Sequence, residues 1–226
     1  PNDPKSFNYR GIMYSYHTKE YEKAIADFSK CIEIDSTYWQ GYSNRAGLYL
    51  KLEDYEKALA DFTKAIELDK ENPERYDYRA DCYVAMEDYN SALKDLDKAI
   101  DFAPEDPLYL NNRADFYKNQ ENYAEALKDY ARVIEISTDS FGTARAINNR
   151  AMIYEDQEKY DLCIEELTKA LAFLEHPIIY LQRADVYLEL EDYEKAIADY
   201  TSAIDLDKDN PEWYGDRADF YIAMEK

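Results

Sequence analysis

A short motif that recurs at nearly constant spacing constrains this chain more than any other feature. The pattern Arg-(Ala or Gly)-x-x-Tyr occurs seven times, at intervals of 35, 34, 34, 37, 33 and 34 residues. The motifs begin at Arg10, Arg45, Arg79, Arg113, Arg150, Arg183 and Arg217. Such self-similarity is the signature of an array of small repeats, each of which must stack on its neighbours to bury its apolar residues.

The small and aromatic residues of each repeat have helical spacing. When the small residue after the arginine is numbered position 8, positions 4, 8 and 11 share one face of a first helix, A. Positions 17, 20, 24, 27 and 28 share one face of a second helix, B. Position 20 is Ala in five of six complete repeats and Cys163 in the other, which lets the two helices approach closely. Nineteen of the 24 Tyr lie at positions 4, 11, 17 or 24, so most Tyr are predicted to pack in the core.

Proline residues mark the starts of the A helices. Five repeats have Pro at position 1 after a capping residue: Asp3-Pro4, Asn72-Pro73, Asp106-Pro107, His176-Pro177 and Asn210-Pro211. We therefore predict a single array over residues 1–226. Its predicted repeats are residues 4–38, 39–72, 73–106, 107–143, 144–176 and 177–210, with a partial seventh at 211–226.

The pattern resembles the tetratricopeptide repeat (TPR) family, whose helix–turn–helix unit of about 34 residues has small residues at positions 8, 20 and 27. The resemblance covers nearly the whole chain. It implies an all-α fold, a right-handed α-solenoid of stacked helix–turn–helix repeats, and a role as a scaffold that binds other proteins. The chain departs from the family at three places. Arg replaces an apolar residue at position 7, Pro at position 32 occurs once as Pro104, and Glu53 and Glu191 stand at position 15, where the family has Gly.

Two irregularities interrupt the spacing. Repeat 1 carries one extra residue before Tyr21. The interval of 37 places three extra residues within the segment from Ser137 to Thr143. We predict a longer helix B or a longer loop at the second irregularity, and a functional bend is the alternative.

Both ends of the sequence look like places where an array was cut. Asn2-Asp3-Pro4 resembles a seam between repeats, and the sequence stops inside helix A of repeat 7. We expect a piece of a longer array. Tyr214, Ala218 and Tyr221 would then lack a helix B of their own, which favours end-to-end self-association.

An acidic residue at position 23 accompanies the arginine at position 7 in every complete repeat. These residues are Asp27, Asp61, Asp95, Asp129, Glu166 and Asp199. We predict an Arg–carboxylate pair, either within each repeat or across the seam to the next one, because such pairs have directional and often bidentate geometry.

The candidate binding residues come from the family resemblance, which implies that the A helices line the inner face through positions 2, 5, 6, 9, 12 and 13. They are Asn44, Asp77, Asp81, Asn111, Asn112, Asp115, Lys118, Asn148, Asn149, Met152, Glu155, Leu181, Gln182, Asp185 and Leu188. Asn can donate to and accept from a peptide backbone, and Asp81, Asp115 and Asp185 at position 9 form a ladder of negative charge. This predicts a groove for a polar or basic peptide; the alternative is that these side chains only hydrate the surface.

Charge and composition narrow the function classes. The net charge of −22 disfavours nucleic acid, including the RNA-binding helical-hairpin relatives, and anionic membrane surfaces. No apolar run approaches the roughly 18 residues of a membrane span. The three Cys show no disulfide or metal spacing and favour a reducing, cytoplasmic compartment.

Catalysis is not expected, and no cofactor or metal is predicted. His17 and His176 are the only His residues, and no Gly-rich phosphate loop is present. Some TPR proteins clamp a C-terminal carboxylate with Lys and Arg, but position 5 carries no basic residue here, so this clamp is disfavoured. The alternative to a peptide-binding scaffold is a structural spacer or self-assembling array.

Overall fold

Helices make up nearly all of the described chain. The computed structural model describes residues 3–215 and 217. Within them the helices are α1 (Pro4–Met13), α2 (Tyr21–Ile34), α3 (Trp39–Lys51), α4 (Tyr55–Leu68), α5 (Pro73–Ala85), α6 (Tyr89–Phe102), α7 (Pro107–Asn119), α8 (Tyr123–Ile136), α9 (Ser140–Asp156), α10 (Tyr160–Phe173), α11 (Pro177–Glu189) and α12 (Tyr193–Leu206). Residues 211–215 are also helical, and the described residues include no strand.

The chain divides between Asn112 and Arg113 into two compact units, here called unit 1 and unit 2. In unit 1, α1 packs on α2, α3 on α4 and α5 on α6, and successive hairpins touch through α2–α3 and α4–α5. In unit 2, α9 packs on α10 and α11 on α12, with α8–α9 and α10–α11 contacts between hairpins. The predicted all-α fold of stacked helical hairpins is therefore confirmed. The single array with the repeat boundaries given above stays a prediction.

The predicted caps and small residues account for the hairpins locally. The side chain before each helix-A Pro accepts the backbone N–H two residues further on, at Asp3, Asn72, Asp106, His176 and Asn210. Ala24 and Ala58 at position 20 are fully buried. At Gly11 a Cβ would lie 2.6 Å from Cε1 of Phe28, so only Gly fits there while that ring keeps its place.

The predicted Arg–carboxylate pair is confirmed in all six complete repeats, and it forms within the repeat. The pairs are Arg10–Asp27, Arg45–Asp61, Arg79–Asp95, Arg113–Asp129, Arg150–Glu166 and Arg183–Asp199. Arg79 shows the geometry, since its Nε and Nη2 donate to the two carboxylate oxygens of Asp95 at 2.6 and 2.7 Å. These two side chains are 16% and 7% exposed.

The same arginines also reach the preceding repeat. Nη1 of Arg45 donates to Oγ of Ser29 at 2.9 Å, and Nη1 of Arg79 donates to Oγ1 of Thr63 at 3.2 Å. The guanidiniums of Arg45 and Arg79 thus each contact their own helices A and B and helix B of the repeat before.

Both spacing irregularities are absorbed inside helices. The extra residue of repeat 1 lies in a π-helical turn, Tyr14–Thr18, that continues α1. The prediction of a longer helix B or loop at the second irregularity is wrong. α8 has 14 residues like the other B helices, whereas α9 has 17. Asp139 caps α9 by accepting the N–H of Gly142 at 2.7 Å, so helix A begins early and the predicted boundary at 143/144 falls inside it.

The turn between helices A and B has left-handed backbone at position 15. The residues with positive φ are Lys19, Glu53, Glu87, Glu121, Glu158 and Glu191, with φ from 54° to 61°. A side chain in this region crowds its own backbone, which is why Gly is favoured there. Glu at this position in five repeats, and Lys19 in repeat 1, therefore leave strain in these turns.

We expect Asp95→Ala to lower the free energy of unfolding by about 3 kcal/mol, because it leaves the half-buried Arg79 guanidinium without its carboxylate. The matched control is Asp101→Ala on the same helix. Asp101 pairs with Lys98 at 2.8 Å, but both side chains are more than half exposed, so its loss should cost less than about 1 kcal/mol. Urea denaturation of both variants measures the difference, and equal losses would contradict the structural role of the pair.

Glu87→Gly should raise the free energy of unfolding by about 1 kcal/mol, since it removes the Cβ from a left-handed position. Glu87→Ala is the control, because it deletes the charge but keeps the Cβ. Thermal unfolding followed by circular dichroism measures both. A gain in the Ala variant equal to that of the Gly variant would attribute the effect to charge and refute backbone strain.

Candidate peptide-binding site

The position-6 asparagines link successive repeats. Nδ2 of Asn44 donates to Oδ1 of Asn8 at 2.8 Å. Nδ2 of Asn112 donates to both carboxylate oxygens of Asp77, at 2.9 and 2.8 Å. Asn149 of unit 2 makes the corresponding kind of bond, to Asp115 at 3.1 Å. The candidate residues Asn44, Asn112 and Asn149 thus form hydrogen bonds between successive repeats.

Four of the position-5 residues are buried, although this position was expected on the open face of helix A, whereas Ser43 and Asn148 at the same position are half-buried. Asn8, Asp77, Asn111 and Leu181 are all buried. Asn111 donates to the carbonyl oxygen of Pro107 at 3.0 Å, and Leu181 packs in a core cluster with Tyr200. Burial raises the pKa of Asp77, while the bonds from Asn112 oppose that rise. Asp77, Asn111 and Leu181 therefore contribute to packing between neighbouring helices and offer little surface to a ligand.

The position-9 carboxylates differ from one another. Asp115 accepts the hydroxyl of the buried Tyr130, and Asp185 accepts the hydroxyl of Tyr200 at 2.6 Å. Asp81 has no Tyr opposite it, because position 24 of its repeat is Leu96. Asp81 remains exposed to water. Partial desolvation by the surrounding protein, followed by the charge of Asp77, nevertheless raises the pKa of Asp81 to about 6. The predicted ladder of negative charge therefore includes two hydrogen-bonded members and one that accepts no bond from the described residues.

Unit 1 has a cavity of about 550 Å³ on its helix A face, here called the unit 1 groove. Its lining includes Ser15 and Tyr16 of the π-helical turn, Trp39, Ser43, Asn44 and Gly47 of α3, and Glu74 and Tyr78 of α5. Gly47 leaves it open, because a Cβ there would meet no atom within 4 Å. Tyr16 is 78% exposed and lies in the π-helical turn that contains the extra residue of repeat 1. This turn therefore places an aromatic ring at the groove.

The sequence predicted only part of the aromatic lining of this groove, because position 6 of the open helix A face includes Tyr78 but the pattern does not assign Trp39 to that face. Tyr16, Tyr78 and Trp39 line it, and of these the stacked ring of Tyr78 lies 5.9 Å from that of Phe62. Burial, followed by the charge of Glu74, raises the pKa of Tyr78. A signal was present in the sequence, since Tyr16 and Tyr78 are among the five Tyr that fall outside positions 4, 11, 17 and 24.

The remaining candidates lie on the helix A face of unit 2. Nε2 of Gln182 donates to Sδ of Met152 at 3.2 Å, and Leu188 packs against the core cluster of Leu181. Lys118 is half-buried. Burial raises the pKa of Glu155, and the charges of Asp185, Asp156 and Glu189 add to the shift. A concentration of carboxylates is therefore present on this face.

The described residues lack the features of other site classes. They include no group of three or more His, Cys, Asp or Glu side chains placed to hold a metal ion. None of the described helices is both long and apolar enough to cross a bilayer. Desolvation raises the pKa of the buried Cys31 thiol to about 11, which suits an inert core residue.

Stacked helical hairpins with a groove along their A helices define the class of helical-repeat interaction scaffolds. Models of the tetratricopeptide repeat match residues 39–72, 107–176, 13–38 and 76–106, and a TPR repeat model matches residues 184–224. The chain belongs to the TPR family. No curated protein sequence matches it significantly.

Solved structures agree on the fold. PilF of Pseudomonas aeruginosa matches with a TM-score of 0.70 and 15% identity, over 96% of this chain and 97% of PilF. A chain of the APC/C hetero-tetramer Cut9–Hcn1 matches with a TM-score of 0.66 and 18% identity, over 96% of this chain but only 42% of that one. YrrB, described as a TPR protein with an unusual peptide-binding site, matches with a TM-score of 0.58 and 23% identity, over 84% and 97%. Members of this class are generally non-enzymatic scaffolds.

Two alanine substitutions at position 9 should have opposite effects. Asp115→Ala removes the acceptor of the buried Tyr130 hydroxyl and should cost about 1–3 kcal/mol of unfolding free energy. Asp81→Ala removes a carboxylate whose pKa in the folded protein, about 6, lies above its ordinary value of 3.8. Such a group opposes folding increasingly as pH rises from 3.8 to about 6, and fully above that, so its removal should stabilise the protein at pH 7.5, by less than about 1 kcal/mol after solvent screening.

Urea denaturation at pH 7.5 and pH 4 checks this pair. The gain from Asp81→Ala should vanish at pH 4, where the carboxylate is largely protonated in the folded chain. Destabilisation by Asp81→Ala at pH 7.5 would show that its carboxylate makes a favourable contact and would refute the assignment.

Proposed function

We propose that this chain is a protein-interaction scaffold that binds an extended polar or basic peptide segment along its helix A faces. The observation that carries the proposal is the unit 1 groove, which the A helices of three successive repeats line with aromatic and polar side chains. Aromatic rings offer a peptide large contact area, and amide and carboxyl groups can pair with its backbone and side chains.

The charges around the groove favour a cationic segment. Glu74 lines it, and the whole chain has a net charge of −22. Lys51 also lines the groove, but its ammonium lies 4.9 Å from the centre of the Tyr21 ring. A Lys or Arg of the partner would meet Glu74 beside the ring of Tyr78, which provides both an ion pair and a cation–π contact.

The carboxylates on the helix A face of unit 2 support the same preference. Glu155 lies near Asp185, Asp156 and Glu189, and their mutual repulsion favours binding of a positive charge. We propose Asp81, Glu155 and Asp185 as the residues that attract the partner. Asn44, Asn112 and Asn149 are proposed to orient the peptide backbone through the hydrogen-bonding capacity that their contacts between repeats leave unused.

YrrB is described as having an unusual peptide-binding site, but at 23% identity its similarity to this chain shows a shared fold only. The partner is therefore inferred from the chemistry of this chain. End-to-end self-association also stays a proposal, and two of the residues behind it, Ala218 and Tyr221, lie outside the described residues.

The experiment is a selection of random dodecapeptides on the immobilised protein, followed by fluorescence anisotropy with the enriched peptides. Gly47→Gln should weaken binding by roughly tenfold or more, because the new side chain projects into the open groove. The fold should tolerate it, since Gln has the higher helix propensity. Gly215→Gln is the matched control, because a Cβ at Gly215 also meets no atom within 4 Å.

Enriched peptides should be rich in Lys and Arg, and their affinity should fall as salt rises from low to physiological concentration. Glu74→Gln should lower the association rate more than it changes the dissociation rate. Acidic or apolar enriched sequences, or equal binding by the two Gln variants, would contradict the proposal. A selection that enriches no peptide would favour the spacer alternative.

A further inference from the structure

The early start of α9 exposes an apolar side chain to solvent in unit 2. α9 has 17 residues, whereas the A helices α3, α5, α7 and α11 have 13 each. Its added turn includes Phe141, which is 61% exposed, and Ile178 on the first turn of α11 is 48% exposed. Adjacent exposed apolar residues of this size, when polar groups border them, mark interaction sites.

These two side chains border a pocket of about 200 Å³. Leu174 of the connecting loop and Ile179 of α11 complete its apolar wall. An apolar cavity of roughly 150 Å³ holds one benzene ring. The pocket therefore has room for a single aromatic or branched aliphatic side chain.

The side chains of Arg145 and Asn148, both on α9, border the same pocket. Arg145 is exposed and forms no ion pair with any described residue, whereas Arg132 of the preceding helix pairs with Glu135 at 2.7 Å. Oδ1 of Asn148 is buried and accepts no hydrogen bond from the described residues. The pocket thus combines an apolar wall with an exposed cation.

We propose that this Arg145 pocket binds an internal segment of a partner protein in which a large apolar residue stands next to Asp or Glu. The apolar side chain enters the cavity, and the carboxylate pairs with Arg145. The exposed edges at Phe141 and Ile178 leave room for the partner chain to continue on both sides, which favours an internal segment over a chain terminus.

The proposal concerns unit 2 alone and does not depend on the unit 1 groove. The two sites also differ in charge preference, since the groove is proposed to take a cation and the Arg145 pocket a carboxylate. Asp139 at the start of α9 caps the helix by accepting the N–H of Gly142, and it forms no ion pair with Arg145. Burial raises the pKa of Tyr130, and the charge of Arg145 opposes that rise without forming an ion pair.

NMR titration of the ¹⁵N-labelled protein tests the proposal. The probe is the acetylated and amidated peptide Gly-Ser-Glu-Leu-Ser-Gly, and the comparison peptide has Gln in place of Glu. We expect shifts of the Asn148 side-chain amide and of the first turns of α9 and α11. The Gln peptide should bind roughly tenfold more weakly, since it lacks the charge-assisted bond.

Arg145→Glu should abolish binding of the Glu peptide and permit binding of the peptide with Lys at that place. Arg132→Glu makes the same change of charge at an exposed site in the same unit and should bind like the unsubstituted protein. Phe141→Ala is a second variant, expected to weaken the Glu and Gln peptides alike. Circular dichroism establishes that each variant is folded.

Three results would overturn the proposal: equal losses in the two Arg variants, shifts outside the Arg145 pocket, or no shift at millimolar peptide. A peptide ending in Glu-Leu with a free carboxylate, if it binds far more tightly than the amidated probe, would assign the pocket to chain termini and refute the internal segment. Loss of the unit 1 groove's ligands in the Gly47→Gln variant leaves all of these outcomes unchanged.

Discussion

The hairpins depend on one ion pair that each complete repeat forms inside itself. In five of the six complete repeats the arginine of helix A donates to both oxygens of a carboxylate on helix B, at 2.6 and 2.8 Å for Arg45 and Asp61. In the other, Arg150 donates twice to Oε2 of Glu166. A half-buried pair of this kind adds little net stability over an apolar contact. It adds directionality, because a bidentate bond holds only when the two helices keep one relative rotation and translation. Where the guanidinium also reaches Ser29 of the preceding repeat, the same side chain fixes a third helix.

Repetition explains why this pair could be predicted from the sequence. Arg at position 7 and an acidic residue at position 23 recur together in all six complete repeats. Neither chance nor solvation of the surface would place both residues so regularly. Helical periodicity then places both on facing sides of one hairpin. The starts of α1, α5, α7 and α11 were predictable for a similar reason, because Pro and a preceding cap residue have one favoured location at a helix end.

The contacts between repeats could not be predicted in the same way. Asn111 and Asn112 are neighbours in sequence, yet one side chain is buried beside Pro107 and the other reaches Asp77 of the previous repeat. A helical wheel gives the direction of a side chain from its own axis. It does not give the rotation between neighbouring hairpins, which decides what that side chain meets. The additional turn of α9 was mispredicted because spacing counts inserted residues without showing which helix takes them up.

The places where the repeat is interrupted hold the chemistry that could make this chain specific. Every TPR array must keep its packing positions, so those positions carry little information about a partner. Here the extra residue of repeat 1 forms a π-helical turn that brings Tyr16 to the unit 1 groove, and the early start of α9 brings Phe141 to the edge of unit 2. π-Helical turns are frequently found at functional sites.

The pairing of arginines with carboxylates determines where the net negative charge of the chain is located. Most arginines are neutralised by a specific carboxylate inside the fold, as Arg79 is by Asp95. Those pairs cancel locally, so the net charge of −22 lies mainly on Asp and Glu at the surface. A diffuse surface charge attracts cationic partners at long range, and salt weakens this attraction. Such a charge discriminates poorly between one cationic partner and another. Discrimination must come from short-range groups, and Arg145 is an exposed guanidinium without a carboxylate partner among the described residues. A cation next to an apolar cavity, on a surface that otherwise repels acidic chains, would admit only those acidic segments whose apolar side chain also fits.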